Sequence, residues 1–396
     1  MASQLLLRVS GIDSPGITAA LTKSISENAA RILDMEQTVT HGLLNLMILI
    51  DVPQTKQLAL DQVLHDCLRG FNLELNITQL EGGFTIADPS NRFVTTVIAD
   101  EIPVQFIADL TATLAQGSLN IDSIRKLSSQ GLSTLELISS TKERLNMPQM
   151  KEKLLSVAAK YPSVDVAVQR ENLYRRSKRL VVFDMDSTLI EGEVIDELAD
   201  RLGKKEEVAA ITKSAMNGGM DFQESLIRRV GLLKGLTQAD LEYVYSHIKM
   251  SPGAERLIKV LKRLGYRIAI ISGGFTYFVD RLKQDLGVHY GYANTLDMDG
   301  GELTGRVNGL IVDGRRKADL LDLLAQQEGI LLDQVIAIGD GANDVLMLKK
   351  AGLGIAFNAK AFTKAIVGTS ITQKSMDSIL YLLGITDNDI TEMGIR

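Results

Sequence analysis

The chain has 396 residues, a length typical of two or three domains with separate hydrophobic cores. Hydrophobic residues make up 45% and charged residues 23% of the sequence, which excludes a wholly disordered chain. The 43 Lys and Arg residues are outnumbered by 49 Asp and Glu residues, and the net charge is -6. Because no long basic run offsets this balance, nucleic-acid and anionic-membrane partners are disfavoured.

Cysteine content and the opening residues bear on the compartment. The single cysteine, Cys67, excludes an intramolecular disulfide and a Cys-rich zinc site. The apolar run in MASQLLLRVS is too short for a secretion signal and predicts a β-strand instead. No stretch approaches the ~18–20 consecutive apolar residues that a membrane span needs. These features predict a cytoplasmic protein.

Two segments of similar length repeat one order of elements. Residues 4–80 predict strand, helix, strand, strand, helix and strand, and residues 92–169 predict the same order again. Pro15 and Pro103 lie between the first strand and the first helix of the two copies, which supports this register. The βαββαβ order is the ferredoxin-like arrangement, an antiparallel sheet with two helices on one face. Residues 81–91, rich in Gly, Asp, Pro and Ser, predict the linker.

From residue 180 the pattern changes to short apolar runs separated by helical stretches. The runs LVVFD (180–184), RIAIIS (267–272) and QVIAIGD (334–340) are typical of parallel strands buried on both faces. They predict an α/β fold with a doubly wound, Rossmann-like core, whose ligands lie at the carboxyl ends of the strands. Residues 190–250 are mostly helical and predict an inserted helical cap. The predicted domains are therefore 1–82, 91–170 and 179–396.

Acidic side chains follow two of the predicted strands. Asp184 and Asp186 end the first strand, and Asp340 and Asp344 follow the third. Because the carboxyl ends of parallel strands meet at one edge, we expect these carboxylates to lie close together. Crowded carboxylates repel one another unless a cation is bound, and oxygen ligands without His or Cys favour Mg²⁺.

The middle strand and a later helix supply groups that bind anions. Ser272 and Gly273 end the strand and lead directly into a helix, whose N-terminal N–H groups suit a phosphate. Lys317 opens a further helix. A carboxylate could then attack phosphorus and form an aspartyl-phosphate, while a second acid protonates the leaving alkoxide. Asp184 and Asp186 are spaced for these two roles.

The motifs DMDST, SGG, Lys317 and GDGAND, in that order, resemble the four motifs of the haloacid dehalogenase superfamily of phosphotransferases. The strings FDMDSTLIEGEVIDELA, FQESLIRRVGLLKG and ISGGFTYFVDRL narrow the resemblance to the phosphoserine phosphatase family. It covers residues 180–383. The resemblance implies a Mg²⁺-dependent phosphomonoesterase that converts O-phospho-L-serine to L-serine and phosphate, the last step of L-serine biosynthesis.

The resemblance also implies a role for each matching residue. Asp184 is expected to be the nucleophile, and Asp186 the proton donor and later the base for water. The metal would be held by the Asp184 carboxylate, the Asp186 backbone carbonyl and Asp340, with Asp344 at or just behind it. Glu193 and Arg229 are expected to bind the ammonium and the carboxylate of the substrate. Ser272, Gly273 and Lys317 are expected to hold its phosphate, and Asn343 to contact the substrate. Met216 and Phe222 are expected to be apolar residues that close over the site.

The N-terminal repeats resemble ACT domains, small modules that bind amino acids at paired interfaces. The first copy carries Asp13 and Gly16 in the loop where that family places its ligand turn, and a glycine there lets the backbone approach a ligand. The second copy lacks a glycine after Pro103, which argues against a ligand there. The resemblance implies a homodimer under feedback regulation by serine or a related amino acid.

Two alternatives remain open. The same chemistry could act on another small phosphomonoester; in that case, changing the charge of Glu193 or Arg229 would not single out phosphoserine turnover. The chain could also be an amino-acid sensor with a vestigial phosphatase domain. The presence of Asp184, Asp186, Lys317 and Asp340 argues against that reading, because a pseudoenzyme tends to lose at least one such residue.

Overall fold

The computed structural model describes two compact units of the chain, Met1–Ile86 and Ala87–Arg396. The predicted linker, apart from Asn91, lies outside the described residues. The described ranges are 2–80, 91–129, 131–143, 146–216 and 220–395.

The first unit is an antiparallel sheet with helices on one face. Its elements are β1 (Ala2–Ile12), α1 (Ile17–Glu27), β2 (Arg31–Thr40), β3 (Leu43–Pro53), α2 (Gln57–Leu68) and β4 (Leu73–Gln79). The strand order is β2-β3-β1-β4, with β1 antiparallel to β3 and β4. Alternate residues of β3, such as Leu44, Leu46 and Ile48, are buried, because successive strand side chains point to opposite faces. We call residues 2–79 the first module.

Residues 92–170 form a second module with the same order of elements. Its elements are β5 (Arg92–Ala99), α3 (Val104–Gln116), β6 (Asn120–Lys126), β7 (Ser133–Ser140), α4 (Met147–Ala158) and β8 (Asp165–Arg170). The strand order β6-β7-β5-β8 matches that of the first module, so the predicted βαββαβ repeat is present in both. A short helix, α5 (Leu173–Arg176), follows.

The remaining sheet is mostly parallel and belongs to the α/β domain, residues 180–395. Its strands are β9 (Leu180–Phe183), β10 (Arg267–Phe275), β11 (Tyr290–Asp299), β12 (Glu302–Asn308), β13 (Val335–Gly339), β14 (Leu353–Phe357) and β15 (Ser370–Ile371). Their order is β12-β11-β10-β9-β13-β14-β15. Strand β9 is central and fully buried, parallel to β10 and β13, as its continuous apolar sequence predicts. Strand β12 is an antiparallel edge.

Helices surround this sheet, and several are inserted between β9 and β10. The inserted helices are α6 (Val194–Asp200), α7 (Lys205–Met216), α8 (Phe222–Gly231) and α9 (Gln238–His247), followed by α10 (Ala254–Arg263). The others are α11 (Thr276–Leu286), α12 (Gly314–Gln327), α13 (Val345–Lys350), α14 (Ala361–Val367), α15 (Ile379–Leu382) and α16 (Asp387–Glu392). None of the helices described here has the length and apolar character needed to cross a bilayer. The predicted fold class is confirmed; the exact domain limits stay a prediction.

The second module and the α/β domain share one hydrophobic core. Ile98, Leu127 and Ala167 of the module belong to the same buried cluster as Val181 of β9. Polar contacts also join the two parts: the Asp165 carboxylate accepts hydrogen bonds from the backbone N–H and hydroxyl of Thr372, at 2.7 and 2.8 Å. Their packing explains why residues 87–396 form a single compact unit.

Candidate active site

The carboxyl end of β9 turns sharply and carries the first pair of acids. The backbone N–H of Asp184 donates to the carbonyl of Ile338 at 2.9 Å, which holds the start of the turn against β13. Ser187 adopts a left-handed conformation with φ of 55°, which is uncommon for a residue with a side chain. The turn returns toward α6, where the Asp186 carboxylate accepts a hydrogen bond from the backbone N–H of Val194 at 2.9 Å.

Lys317 lies between two of the predicted acids. Helix α12 is capped by Asp313, whose side chain accepts from the backbone N–H of Arg316, and this places Lys317 in the first turn. Its Nζ lies 2.8 Å from Oδ1 of Asp184 and 2.8 Å from Oδ1 of Asp344. The Lys317 side chain is fully buried. A buried lysine is stable there because both neighbours are carboxylates.

Three carboxylates can converge on one cation. Asp184, Asp340 and Asp344 each offer an oxygen, and these oxygens all lie within 4.8 Å of one another. Thr188 donates to Asp340 at 3.1 Å, and the backbone N–H of Gly341 donates to Asp344 at 3.0 Å, so both acids are held in place. A set made only of oxygen donors fits a hard divalent metal ion.

Burial and like charge perturb the acids of this cluster. Burial, followed by the charge of Asp344, raises the pKa of Asp184 well above its usual range, although Lys317 opposes that rise. Burial and the Glu193 carboxylate raise the pKa of Asp186 to about 7. Burial and Asp344 raise the pKa of Asp340 to about 6. A bound cation would favour the ionised forms, so the electrostatics agree with the donor set.

Ser272 and Gly273 reach the same edge from β10. The Ser272 hydroxyl accepts from the backbone N–H of Gly274 at 2.8 Å and donates to Oδ2 of Asp186 at 3.3 Å. A Cβ at Gly274 would lie 2.6 Å from that same Asp186 oxygen, closer than real Cβ atoms come. Glycine is therefore needed for the backbone to pass this close to the acid.

Asn294 is a positioning residue that the sequence analysis missed. It lies on β11, is almost fully buried, and its amide donates to the carbonyl of Gly273 at 2.8 Å. Its side-chain oxygen accepts from the backbone N–H of Val312 at 2.8 Å. Along the sequence Asn294 is one polar residue among many and belongs to none of the motifs, so nothing pointed to it.

The inserted helices bring charged and aromatic side chains to the site. The Glu193 carboxylate accepts from the Ser187 hydroxyl at 3.3 Å, and its charge also acts on Arg229. Arg229 is buried on α8, and its guanidinium contacts the hydroxyl of Thr212 at 3.5 Å. The Phe222 ring lies 3.1 Å from the place a Cβ would occupy at Gly273, so α8 covers this loop. The Met216 side chain lies outside the described residues.

Three predicted residues remain, one in the turn after β13 and two in the first module. Asn343 is half-buried in the turn between β13 and α13, next to the acids of that turn. Asp13 and Gly16 belong to the first module: Asp13 is exposed, and Gly16, with φ of 103°, immediately precedes α1. The structure thus gathers the phosphatase-motif residues at one sheet edge. The individual roles of all these residues stay predictions.

Family models match three segments of the chain. A haloacid dehalogenase-like hydrolase model matches residues 178–352, and ACT domain models match residues 3–78 and 92–169. A phosphoserine phosphatase of Streptomyces coelicolor is 38% identical over 392 residues, which covers 98% of this chain and 93% of that protein. The chain belongs to the phosphoserine phosphatase family.

Solved structures agree with this membership of the phosphoserine phosphatase family. A haloacid dehalogenase family hydrolase from Salmonella enterica serovar Typhi superposes with a TM-score of 0.65 at 30% identity, covering 74% of this chain and 98% of that one. A phosphoserine phosphatase solved as a phospho-aspartyl intermediate analogue matches with a TM-score of 0.50 at 44% identity, covering 52% of this chain and 98% of that one. The α/β domain is a phosphatase domain, and two ACT domains precede it.

Proposed function

We propose that the protein hydrolyses O-phospho-L-serine to L-serine and phosphate through an aspartyl-phosphate on Asp184. The observation that carries this proposal is the position of the Asp184 carboxylate, held by Lys317 at 2.8 Å in a buried cluster of acids. The lysine fixes the orientation of the nucleophile and offers positive charge to the phosphoryl oxygens. Family membership supplies the substrate class.

The chemistry divides into two proton-balanced steps. An oxygen of Asp184 attacks phosphorus, the bond between phosphorus and the serine oxygen breaks, and Asp186 gives its proton to the leaving alkoxide. In the second step Asp186 takes a proton from water, which attacks the phosphoryl group and releases phosphate and the free Asp184 carboxylate. The hydrogen bond from the Ser272 hydroxyl, in the proposed phosphate loop, to the Asp186 carboxylate supports this role.

Mg²⁺ is the metal we propose for the acidic cluster. The Asp184 and Asp340 carboxylates and the Asp186 backbone carbonyl would hold it, while Asp344, bonded to Lys317 and Gly341, would lie at or behind it. When bound, such a cation neutralises negative charge on the transferring phosphoryl group. The same phosphoryl group would be held by Ser272, Gly273 and Lys317.

Substrate recognition is proposed for Glu193, Arg229 and Asn343. A carboxylate and a guanidinium are complementary to the ammonium and carboxylate that distinguish phosphoserine from other phosphomonoesters. Arg229 is buried, so water competes weakly with its contacts, whereas Glu193 is exposed just before the start of α6. The Phe222 ring lies next to Gly273, where it would exclude water from the proposed phosphate loop.

The Asp184→Asn variant tests the nucleophile. We expect kcat to fall by about 10⁴-fold or more, because loss of a nucleophile removes the covalent route. Phosphate release from O-phospho-L-serine, with circular dichroism to check folding, measures the effect. Asp319→Asn is the matched control, since Asp319 is an exposed acid on α12. Trapping with beryllium fluoride that labelled another residue would contradict the assignment.

We also propose that the ACT domains regulate a cytoplasmic homodimer through an amino acid, with serine as the candidate ligand. Asp13 and Gly16 are the proposed contacts, where Gly16 leaves the backbone open ahead of α1. Serine should change the activity of the unmodified chain, and Asp13→Ala should remove that response while leaving basal kcat unchanged. Asp61→Ala, an exposed acid of the same module, serves as the control. A full serine response in Asp13→Ala would contradict the proposed site.

A further inference from the structure

A cavity of about 320 Å³ lies where the second ACT domain meets the phosphatase domain. Its walls come from α4 and the end of β8 on one side, and from α13 and the start of β14 on the other. Polar residues such as Gln169, Asn172 and Tyr174 line it together with several charged groups. None of the lining residues belongs to the acidic cluster, so the cavity is a separate feature.

The charged groups that line this cavity are almost all positive. The cations are Lys151, Arg170, Arg175, Lys178 and Lys349, and the acid is Asp333. Arg175 is already paired, because its guanidinium contacts Glu136 and Glu171. Among the carboxylates in the described part of the chain, none forms an ion pair with any of the other four cations. The cavity therefore carries uncompensated positive charge.

Lys178 is the most deeply buried of these unpaired ammonium groups. It is 6% exposed, and its Nζ donates to the backbone carbonyl of Asp333 rather than to a carboxylate. Burial lowers the pKa of Lys178 to about 8, and the Asp333 charge only partly offsets this. A buried ammonium without a charged partner costs free energy, which an anion in contact with it would recover.

Lys151 and Arg175 add two further unsatisfied groups. The Lys151 side chain crosses from α4 to the phosphatase domain, where its Cε lies 2.9 Å from the place a Cβ would occupy at Gly368. Burial alone lowers the pKa of Lys151. Arg175 is 4% exposed, and its Nε has no hydrogen-bond partner in the described structure. The cations thus come from both sides of the junction.

We propose that this cavity binds a small molecule carrying two or more negative charges. A volume near 300 Å³ is at the lower end of ligand cavities, which suits a dicarboxylate or a small phosphate compound and excludes a nucleotide-sized anion. An occupant would contact Lys349 at the end of α13, the helix that begins directly after Asp344. Anion binding in this cavity does not depend on phosphoserine hydrolysis, so this proposal is independent of the proposed function.

A fluorescent reporter can test this site because the chain contains no tryptophan. Tyr174→Trp places a single indole in the cavity wall of the full-length protein. Malonate and inorganic phosphate are titrated separately, with sodium chloride at matched ionic strength as the reference. We expect a saturable change in emission with at least one dianion and none with chloride. A response to malonate alone identifies a carboxylate ligand, and a response to phosphate alone identifies a phosphate compound.

Charge variants in the reporter background show where the anion binds. Lys151→Met and Lys178→Met should each weaken binding by about tenfold or more, as expected for loss of one charge-assisted hydrogen bond. Lys153 is an exposed lysine on α4, the helix that carries Lys151, and Lys153→Met should leave the affinity for the dianion unchanged. Equal affinity in all three variants, or no saturable change with either dianion, would overturn the proposal.

A label-free measurement guards against a reporter that fails to fold. In the chain with Tyr174 intact, the effective dianion should raise the Tm, because a ligand that binds the folded state stabilises it. Lys178→Met should reduce that rise, and Lys153→Met should preserve it. A rise of the same size in both variants would place the anion elsewhere and contradict the proposal.

Discussion

At the scale of single residues, Lys317 organises the site through charge. It is fully buried and pairs with Asp184 and Asp344 at 2.8 Å each. Burial lowers the pKa of Lys317, but the two carboxylates outweigh it, and the pKa lies above its usual range. The lysine therefore stays charged at neutral pH and holds the carboxylate proposed as the nucleophile.

Replacing this lysine should destabilise the fold. Lys317→Met leaves two buried carboxylates without their cation, and breaking such a buried pair costs about 3–5 kcal/mol. Urea unfolding in the presence of EDTA measures the free energy of unfolding without a metal contribution. Lys350→Met, which breaks a partly exposed pair with Asp322, should cost about 1 kcal/mol or less. Equal losses in the two variants would argue against a special role for Lys317.

Changes at Glu193 should separate substrate recognition from chemistry. Glu193→Gln removes the charge proposed to bind the substrate ammonium, so kcat/KM for phosphoserine should fall about 10–100-fold. Hydrolysis of p-nitrophenyl phosphate, which has no ammonium group, should change far less. Steady-state kinetics on both substrates measure the ratio. Equal losses on the two substrates would favour a different phosphomonoester as the natural substrate.

At the scale of elements, the buried Glu136 joins the second ACT domain to α5, the helix that follows it, through an ion pair with Arg175. The fully buried Glu136 of β7 contacts Arg125 of β6 and Arg175 of α5. Gly384, in the turn after α15, lies beside this pair, where a Cβ would be 3.6 Å from the Arg175 guanidinium and 3.7 Å from the Glu136 carboxylate. The contacts of Glu136 therefore bring together β6, β7, α5 and the turn after α15.

The pH dependence of stability should report on Glu136. Burial raises the pKa of Glu136, but Arg125 and Arg175 outweigh burial and hold it below the ordinary value of 4.5. Because the folded pKa is the lower one, the contribution is complete above about pH 4.5 and is lost as the pH falls through the folded pKa. Glu136→Gln should therefore cost about 3–5 kcal/mol at neutral pH.

Urea unfolding at pH 7 and pH 3 checks that sign. The difference between the unmodified chain and Glu136→Gln should shrink at the lower pH, while Glu152→Gln, an exposed acid on α4, should have little effect at either. A difference that grew on acidification would contradict the direction of the Glu136 pKa shift.

At the scale of the whole molecule, the two ACT domains have different relations to the rest of the chain. The first lies in a compact unit of its own, Met1–Ile86. The second shares a hydrophobic core with the phosphatase domain through Ile98, Leu127 and Ala167. The second domain is therefore part of the structural support of the phosphatase.

Truncation should reveal this difference. A chain beginning at Ala87 should fold and retain most of the kcat for phosphoserine, because its core is complete. A chain beginning at Arg179 exposes the surface that Ile98, Leu127 and Ala167 cover, so its Tm should fall by several degrees. Differential scanning calorimetry and phosphate release measure both. Equal stability of the two truncated chains would contradict the shared core.

The sequence by itself determined the repeats, the α/β core and the acids at the sheet edge. Alternating burial and continuous apolar runs are local patterns, and the ends of parallel strands must meet at one edge. For that reason the sequence alone predicts that Asp184, Asp340 and Ser272 lie together. The order of the motifs also assigned Lys317 to this site. No local pattern does so, because Lys317 is far from Asp184 in the chain.

Only the tertiary structure decided the contacts between distant, unpatterned residues. Asn294 bonding to Gly273, Glu136 pairing with Arg175, and Lys151 meeting Lys178 at one cavity are examples. Each of these side chains is polar and looks like an ordinary surface residue along the chain. What gives it a role is burial beside a particular partner, and burial is a property of the packed molecule rather than of a short stretch of sequence.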